Sequence, residues 1–179
     1  VDVTLRDGMH PLSHTMTPDQ MAKIAAEIEK TGVDIIEFGH GNGLGGSSCK
    51  YGFGAGDDIV YIKAVSSAVK NASLDVITLP GIGTRHHLHI AAEHGVRYAR
   101  FATQMTEADI SEQHIKMAKD LGLTPIGGLT CAQPISVEDT VYQARLMESY
   151  GAEAVYLYDG SWYMLPHQVR ERIKAMTES

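Results

Sequence analysis

The chain has 179 residues, 44% of them hydrophobic, and its 15 basic against 22 acidic side chains give a net charge of −7. That is enough apolar material for one sizeable core, and the charge balance lacks the cationic stripe that a nucleic acid or an anionic membrane surface demands. No apolar run approaches the ~20 residues needed to span a bilayer, and the two cysteines, Cys49 and Cys131, are too few for a disulfide framework, so a cytoplasmic setting is expected.

Residues 1–5 read as a strand that runs directly into Arg6, Asp7, Gly8 and His10. A helix follows over 17–31, with Thr17 as N-cap, Pro18 at its first position and Gly32 at its end. Residues 33–38 form a second strand, then a long glycine-rich loop leads to a helix over 58–69, where Ile59, Ile62, Val65 and Val69 recur at helical spacing. Strands at 74–79, 96–102, 125–129 and 154–158 alternate with helices ending near 94, over 111–121, over 137–150 and over 167–177. This rhythm means a parallel α/β sheet with right-handed crossovers. A doubly wound sheet and a barrel both fit it. A (β/α)8 TIM barrel needs eight units in about 250 residues, so about six of its eight βα units are present, as one incomplete domain over 1–179. No signal peptide is evident, and the missing initiator Met and abrupt end suggest a truncated reading frame.

The first strand delivers a guanidinium, a carboxylate and an imidazole at its carboxyl end, where parallel barrels build their sites. A surface salt bridge and a solvated histidine are the plainer reading of Arg6, Asp7 and His10. Polar residues recur at later strand ends, however: Glu37 and His40, Arg100 and Thr103, Thr130, and Asp159.

Five stretches carry a family resemblance: Thr4-Leu5-Arg6-Asp7-Gly8-Met9-His10, Gly39 through Ser48, Tyr51-Gly52-Phe53-Gly54, Leu79-Pro80-Gly81-Ile82-Gly83 and Thr106-Glu107-Ala108-Asp109. Nearly end to end, the chain resembles the 4-hydroxy-2-oxovalerate aldolases, pyruvate-forming metal aldolases of the barrel group that includes hydroxymethylglutaryl-CoA lyase and isopropylmalate synthase. The resemblance implies that Asp7 binds a divalent ion, Mn²⁺ or Mg²⁺. It implies that Arg6 binds substrate beside the developing enolate oxygen, and that His10 is the general base for the 4-hydroxyl proton. It also implies a small 2-keto acid substrate, an acylating aldehyde dehydrogenase partner and a place in aromatic hydrocarbon catabolism. The family's remaining metal ligands, a His-x-His pair on a seventh strand, are expected beyond Ser179, so this piece alone is expected to be nearly inactive. An acyl-CoA lyase or synthase of the same group, and a non-catalytic half-barrel that associates through its open edge, are the rival readings.

Cys131-Ala132-Gln133 and Asp159-Gly160-Ser161-Trp162 depart from the family pattern and bear on substrate preference. Trp162 and Tyr163 either shape the pocket or cover the barrel's top. His86-His87-Leu88-His89 reads as a solvated helix start rather than a metal pair, because residues two apart on a helix diverge. Gly41 through Gly46 fits G-x-G-x-x-G, but no helix opens after it, so a substrate-covering or interface loop is favoured over a nucleotide cradle. His40 reads as a structural hydrogen-bonder ahead of a base, Glu37 as an inward partner of Arg100, and Cys131 as inert. His14 matches the family without a role that spacing assigns.

Overall fold

The computed structural model describes residues 1–132, 134–160 and 164–179. Six parallel strands lie in the order in which they occur: β1 (Asp2–Val3), β2 (Ile35–Phe38), β3 (Ser73–Thr78), β4 (Tyr98–Gln104), β5 (Thr124–Thr130) and β6 (Ala154–Tyr158). Each pairs with its neighbour in sequence, for example Glu37 with Asp75, Ile77 with Arg100 and Gly128 with Tyr156. The sheet curls as part of a (β/α)8 barrel, with the helices on its outside. β3 is buried along nearly its whole length, as a parallel strand covered on both faces must be. At the far edge β6 is half-exposed.

The helices are α1 (Thr4–Asp7), α2 (Pro18–Glu29), α3 (Asp58–Ala68), α4 (Arg85–Glu93), α5 (Glu112–Asp120), α6 (Val137–Tyr150) and α7 (Pro166–Glu178). Thr17 and Gln20 form a reciprocal capping box at the start of α2, and Gly151, in the left-handed region at φ 107°, closes α6. Where α2 ends, Glu29 accepts backbone N–H bonds from Lys70, Asn71 and Ala72, at 2.9, 2.6 and 2.9 Å. This clasp ties α2 to the entry of β3, on the side of the sheet where the strands begin. Among the described residues no helix is long and apolar enough to cross a membrane.

The strand expected over 1–5 is corrected at its end. Only Asp2 and Val3 are strand, and residues 4–7 form the helical turn α1. The Thr4 amide donates to Asp2 Oδ1 at 2.9 Å and the Gly8 amide to the Thr4 carbonyl at 3.1 Å, which winds the chain. Leu5 still bridges to Phe38 and is fully buried, so the turn stays fixed to the sheet. β2 and β4 begin two residues later than the hydrophobic runs suggest, because Val96 and Arg97 are still closing the preceding turn onto Ala91 and Leu74.

The loop after β2 is held against β3. The Leu44 amide donates to the Ile77 carbonyl at 3.0 Å, and Gly43, at φ 78°, faces that same carbonyl so closely that a Cβ would collide with it. Gly43→Ala is therefore expected to cost at least the roughly 1–2 kcal/mol of a left-handed non-glycine residue. Urea unfolding would read this, and an unchanged midpoint would show that the loop is not pinned.

Candidate active site

The carboxyl ends of the strands surround a pocket of about 410 Å³. Arg6, Asp7 and His10 all line it, together with Arg100, Thr130 and Tyr156. The three residues named from the opening motif are thus brought together, although they leave from a helical turn and not from the strand itself. One wall is apolar, made by Val3, Ile77, Leu79 and Ala102.

Beneath this pocket lies a chain of charges. Arg6 Nε donates to Glu37 Oε1 at 2.7 Å, and its Nη1 pairs with Asp7 Oδ1 at 2.7 Å and reaches the Gly41 carbonyl at 3.4 Å. Arg100 Nη1 donates to the other oxygen of Glu37 at 2.5 Å. Glu37 is fully buried between the two guanidiniums, whereas the Asp7 side chain is 57% exposed at the rim. The expected pairing of Glu37 with Arg100 is present, and Glu37 holds Arg6 as well.

Asp75 lies beside Glu37 in the strand register and is also fully buried, with Arg100 Nε 3.9 Å away. Burial and then the Glu37 charge hold its carboxyl well above the usual carboxylate range. Neither oxygen has a partner at hydrogen-bond distance among the described residues, and Arg100 and the Val76 backbone offset its burial only in part. The protonated form can donate to Glu37 instead. Glu37 is the anion of the pair and Asp75 the acid.

Tyr156 joins the site through a feature the sequence displays but does not interpret. A Cβ on Gly128 would collide with the Tyr156 hydroxyl, so the glycine within β5 marks the place where the phenol crosses the sheet. The Arg100 guanidinium stands 4.3 Å from the centre of the Tyr156 ring. Burial pushes the Tyr156 phenol up, against the pull of Arg100. Asn42 and Tyr158 also line the pocket and were not singled out in sequence.

Other expected residues fall outside it. Thr103 is buried, and its carbonyl receives the Thr130 hydroxyl at 2.9 Å. Asp159 Oδ2 accepts the Met164 amide at 2.8 Å, bracing the entry to α7. Cys131 is half-buried, at φ 57°, with its amide on the Tyr158 carbonyl. His86 and His89 are exposed, and His87 caps α4 through Thr84. The departures at Gln133, Ser161 and Trp162, and the pocket-or-cover reading of Trp162 and Tyr163, lie outside the described residues.

His40 is a structural hydrogen-bonder. Its Nδ1 accepts the Asn42 amide at 3.1 Å, which makes Nε2 the protonated nitrogen facing the Gly52 carbonyl at 3.1 Å. The glycines around it have a steric reason. A Cβ on Gly46 would stand 2.5 Å from His40 Nδ1, and one on Gly41 would stand 2.7 Å from both the His10 and His14 rings. The glycine-rich loop cradles imidazoles, not phosphates.

Asp7 is the one carboxylate among the described lining residues. No group of three or more His, Cys, Asp or Glu side chains able to hold a metal comes together among the described residues. A single carboxylate does not define a divalent coordination sphere, so these residues do not compose a cation site by themselves.

The chain is 59% identical over 178 residues to the 4-hydroxy-2-oxovalerate aldolase of Desulfitobacterium hafniense, covering 99% of this chain and 54% of the relative. It is 53% identical over 176 residues to the enzyme of that name from Carboxydothermus hydrogenoformans, covering 98% and 52%. The chain therefore spans about half the length of the curated relatives it matches. In fold it is similar to the carboxyl transferase domain of Rhizobium etli pyruvate carboxylase, with a TM-score of 0.80 at 14% identity over 99% of this chain and 33% of that one. The HMGL-like family model matches residues 1–179, and the chain belongs to the HMGL-like family.

Proposed function

We propose that this chain supplies six βα units of a divalent-metal-dependent aldolase that cleaves 4-hydroxy-2-oxopentanoate-type acids to pyruvate and a short aldehyde. The observation that carries this reading is the meeting of Arg6, Asp7 and His10 in one pocket at the strand ends. The names of the relatives support it.

The chemistry follows from the donor set. His10, exposed at the pocket, takes the proton of the C4 hydroxyl. The C3–C4 bond then breaks, C4 leaves as the aldehyde carbonyl, and the bonding pair passes through C3 to the C2 oxygen as an enolate. Arg6 has committed Nε to Glu37 and Nη1 to Asp7 and Gly41, which leaves Nη2 to donate to that oxygen. The proton that His10 removed then returns to C3, directly or through water, which completes pyruvate and restores the base. The second cation, Arg100, gives the pocket the charge to hold an anionic acid, and the apolar wall suits the aldehyde's alkyl end.

Asp7 is one ligand of the metal in this reading, Mn²⁺ or Mg²⁺, with the others supplied from outside this chain. An acylating aldehyde dehydrogenase that consumes the aldehyde belongs to the same proposal, as does a cytoplasmic setting in keeping with the free Cys49 and Cys131.

The test compares pyruvate release from 4-hydroxy-2-oxopentanoate by the full-length protein and by the 179-residue chain, each with and without added Mn²⁺. Turnover is expected for the full-length protein and close to none for the chain alone. Robust turnover by the chain alone would show that ligands from outside it are not needed. Release of free CoA from an acyl-CoA, without pyruvate formation, would assign the pocket to a Claisen-type lyase instead.

A further inference from the structure

Three imidazoles from different places in the sequence meet at the edge of the pocket. The His14 and His40 rings are stacked, with centroids 3.7 Å apart and planes 19° apart, and the His10 ring meets His14 edge-on at 5.3 Å. His10 faces the pocket and is exposed, whereas His14 and His40 are 6% and 1% exposed. The chain accepts backbone strain to bring His14 here. Ser13 and His14 are consecutive non-glycine residues in the left-handed region, at φ 49° and 59°, an arrangement that costs energy and persists only where the surroundings enforce it.

The ring so placed is held on several sides. The His14 amide donates to the Met9 carbonyl at 2.9 Å, its carbonyl receives the Ala55 amide at 3.1 Å, and its Nδ1 accepts the Gly41 amide at 3.4 Å. Gly52 packs against the opposite side of the ring. His14 thus joins the turn that carries His10 to both ends of the glycine-rich loop, whose Gly41 and Asn42 form a lip of the pocket. The titratable groups facing the stack are His10 and Asp58, and the Tyr51 backbone carbonyl faces His14. Burial first, then the neighbouring rings, hold His14 below the usual imidazole range, and burial does the same for His40.

We propose that His14 is a positioning residue: its ring, wedged between His10 and His40, fixes the imidazole of His10 and the Gly41–Asn42 lip relative to each other. The inference rests on the reading of His10 as the base. A base displaced by about 1 Å loses on the order of 10²-fold in rate, so a side chain that only orients it has a measurable kinetic effect.

The experiment uses the full-length protein and the variant His14→Asn. Asparagine tolerates a left-handed backbone and keeps an acceptor near the position of Nδ1, but it removes the stacked ring. The expected result is a kcat lower by about 10- to 100-fold, with KM within twofold and an unchanged circular dichroism spectrum. A kcat within twofold of the parent would overturn the proposal. Should the variant fail to fold, long-range ¹H–¹⁵N spectra of the parent decide. They are expected to show Nδ1 of His14 and of His40 unprotonated and accepting, with Nε2 carrying the proton, at pH 8, and a His14 protonated at Nδ1 would overturn it. His10→Ala separates the two readings. A parent-like rate in that variant removes the base assignment, whereas slow His10→Ala with parent-like His14→Asn removes the positioning role alone.

Discussion

Arg6→Ala in the full-length protein is expected to lower kcat/KM for pyruvate formation by about 10²–10³-fold, the usual cost of removing a donor from an oxyanion that develops during the reaction. Arg6→Lys is expected to rescue little of this. The guanidinium uses Nε for Glu37 and Nη1 for Asp7 and Gly41 at the same time, and an ammonium has no planar fork to span those acceptors while donating to a substrate. A coupled assay of pyruvate release measures both variants. A lysine variant within threefold of the parent would mean that positive charge alone suffices at this position.

The two buried carboxyls beneath the pocket are expected to respond in opposite ways to the same chemical change. Glu37→Gln removes the anion between Arg6 and Arg100 and leaves two largely buried guanidiniums undercompensated, a loss of about 3–5 kcal/mol. Asp75→Asn replaces a carboxyl that the fold keeps protonated more readily than a free acid, and is expected to stabilise the protein above the ordinary carboxylate range. The reason is linkage. The folded-state value of Asp75 is raised by burial and by Glu37, so its stabilising contribution is full below the ordinary carboxylate range and is lost as pH rises through the raised value. Asparagine has no such proton to lose, and its advantage over the parent should shrink toward acid. Denaturant unfolding at pH 4, 5.5 and 7 reads both variants. Equal destabilisation by the two at pH 7 would refute the assignment of the proton to Asp75.

Much of this arrangement is legible in the sequence because strands and helices alternate strongly. The helix at Val137–Tyr150 and the strand at Ala154–Tyr158 fall where hydrophobic spacing and Gly151 put them. The opening segment misleads because Val1, Val3 and Leu5 alternate as a strand does, while the turn that ends it depends on the Asp2 side chain and on a backbone bond from Gly8, which alternation does not encode. Arg6, Asp7 and His10 are recognisable from their order and type. Tyr156 is not, since its place depends on which residue of β5 lies opposite it in the register. The role of His14 depends on His40, 26 positions later, and on a left-handed backbone with no glycine to announce it.

The clasp formed by Glu29 gives the barrel two ends that respond differently to acidity. Its carboxylate is held below the ordinary range by the backbone N–H groups of Ala72, Asn71 and Lys70. That contribution is present above the ordinary carboxylate range and disappears as pH falls through the lowered value. Acidification therefore unfastens the floor of the molecule, where α2 meets the root of β3, while the protonated Asp75 under the mouth is most at ease.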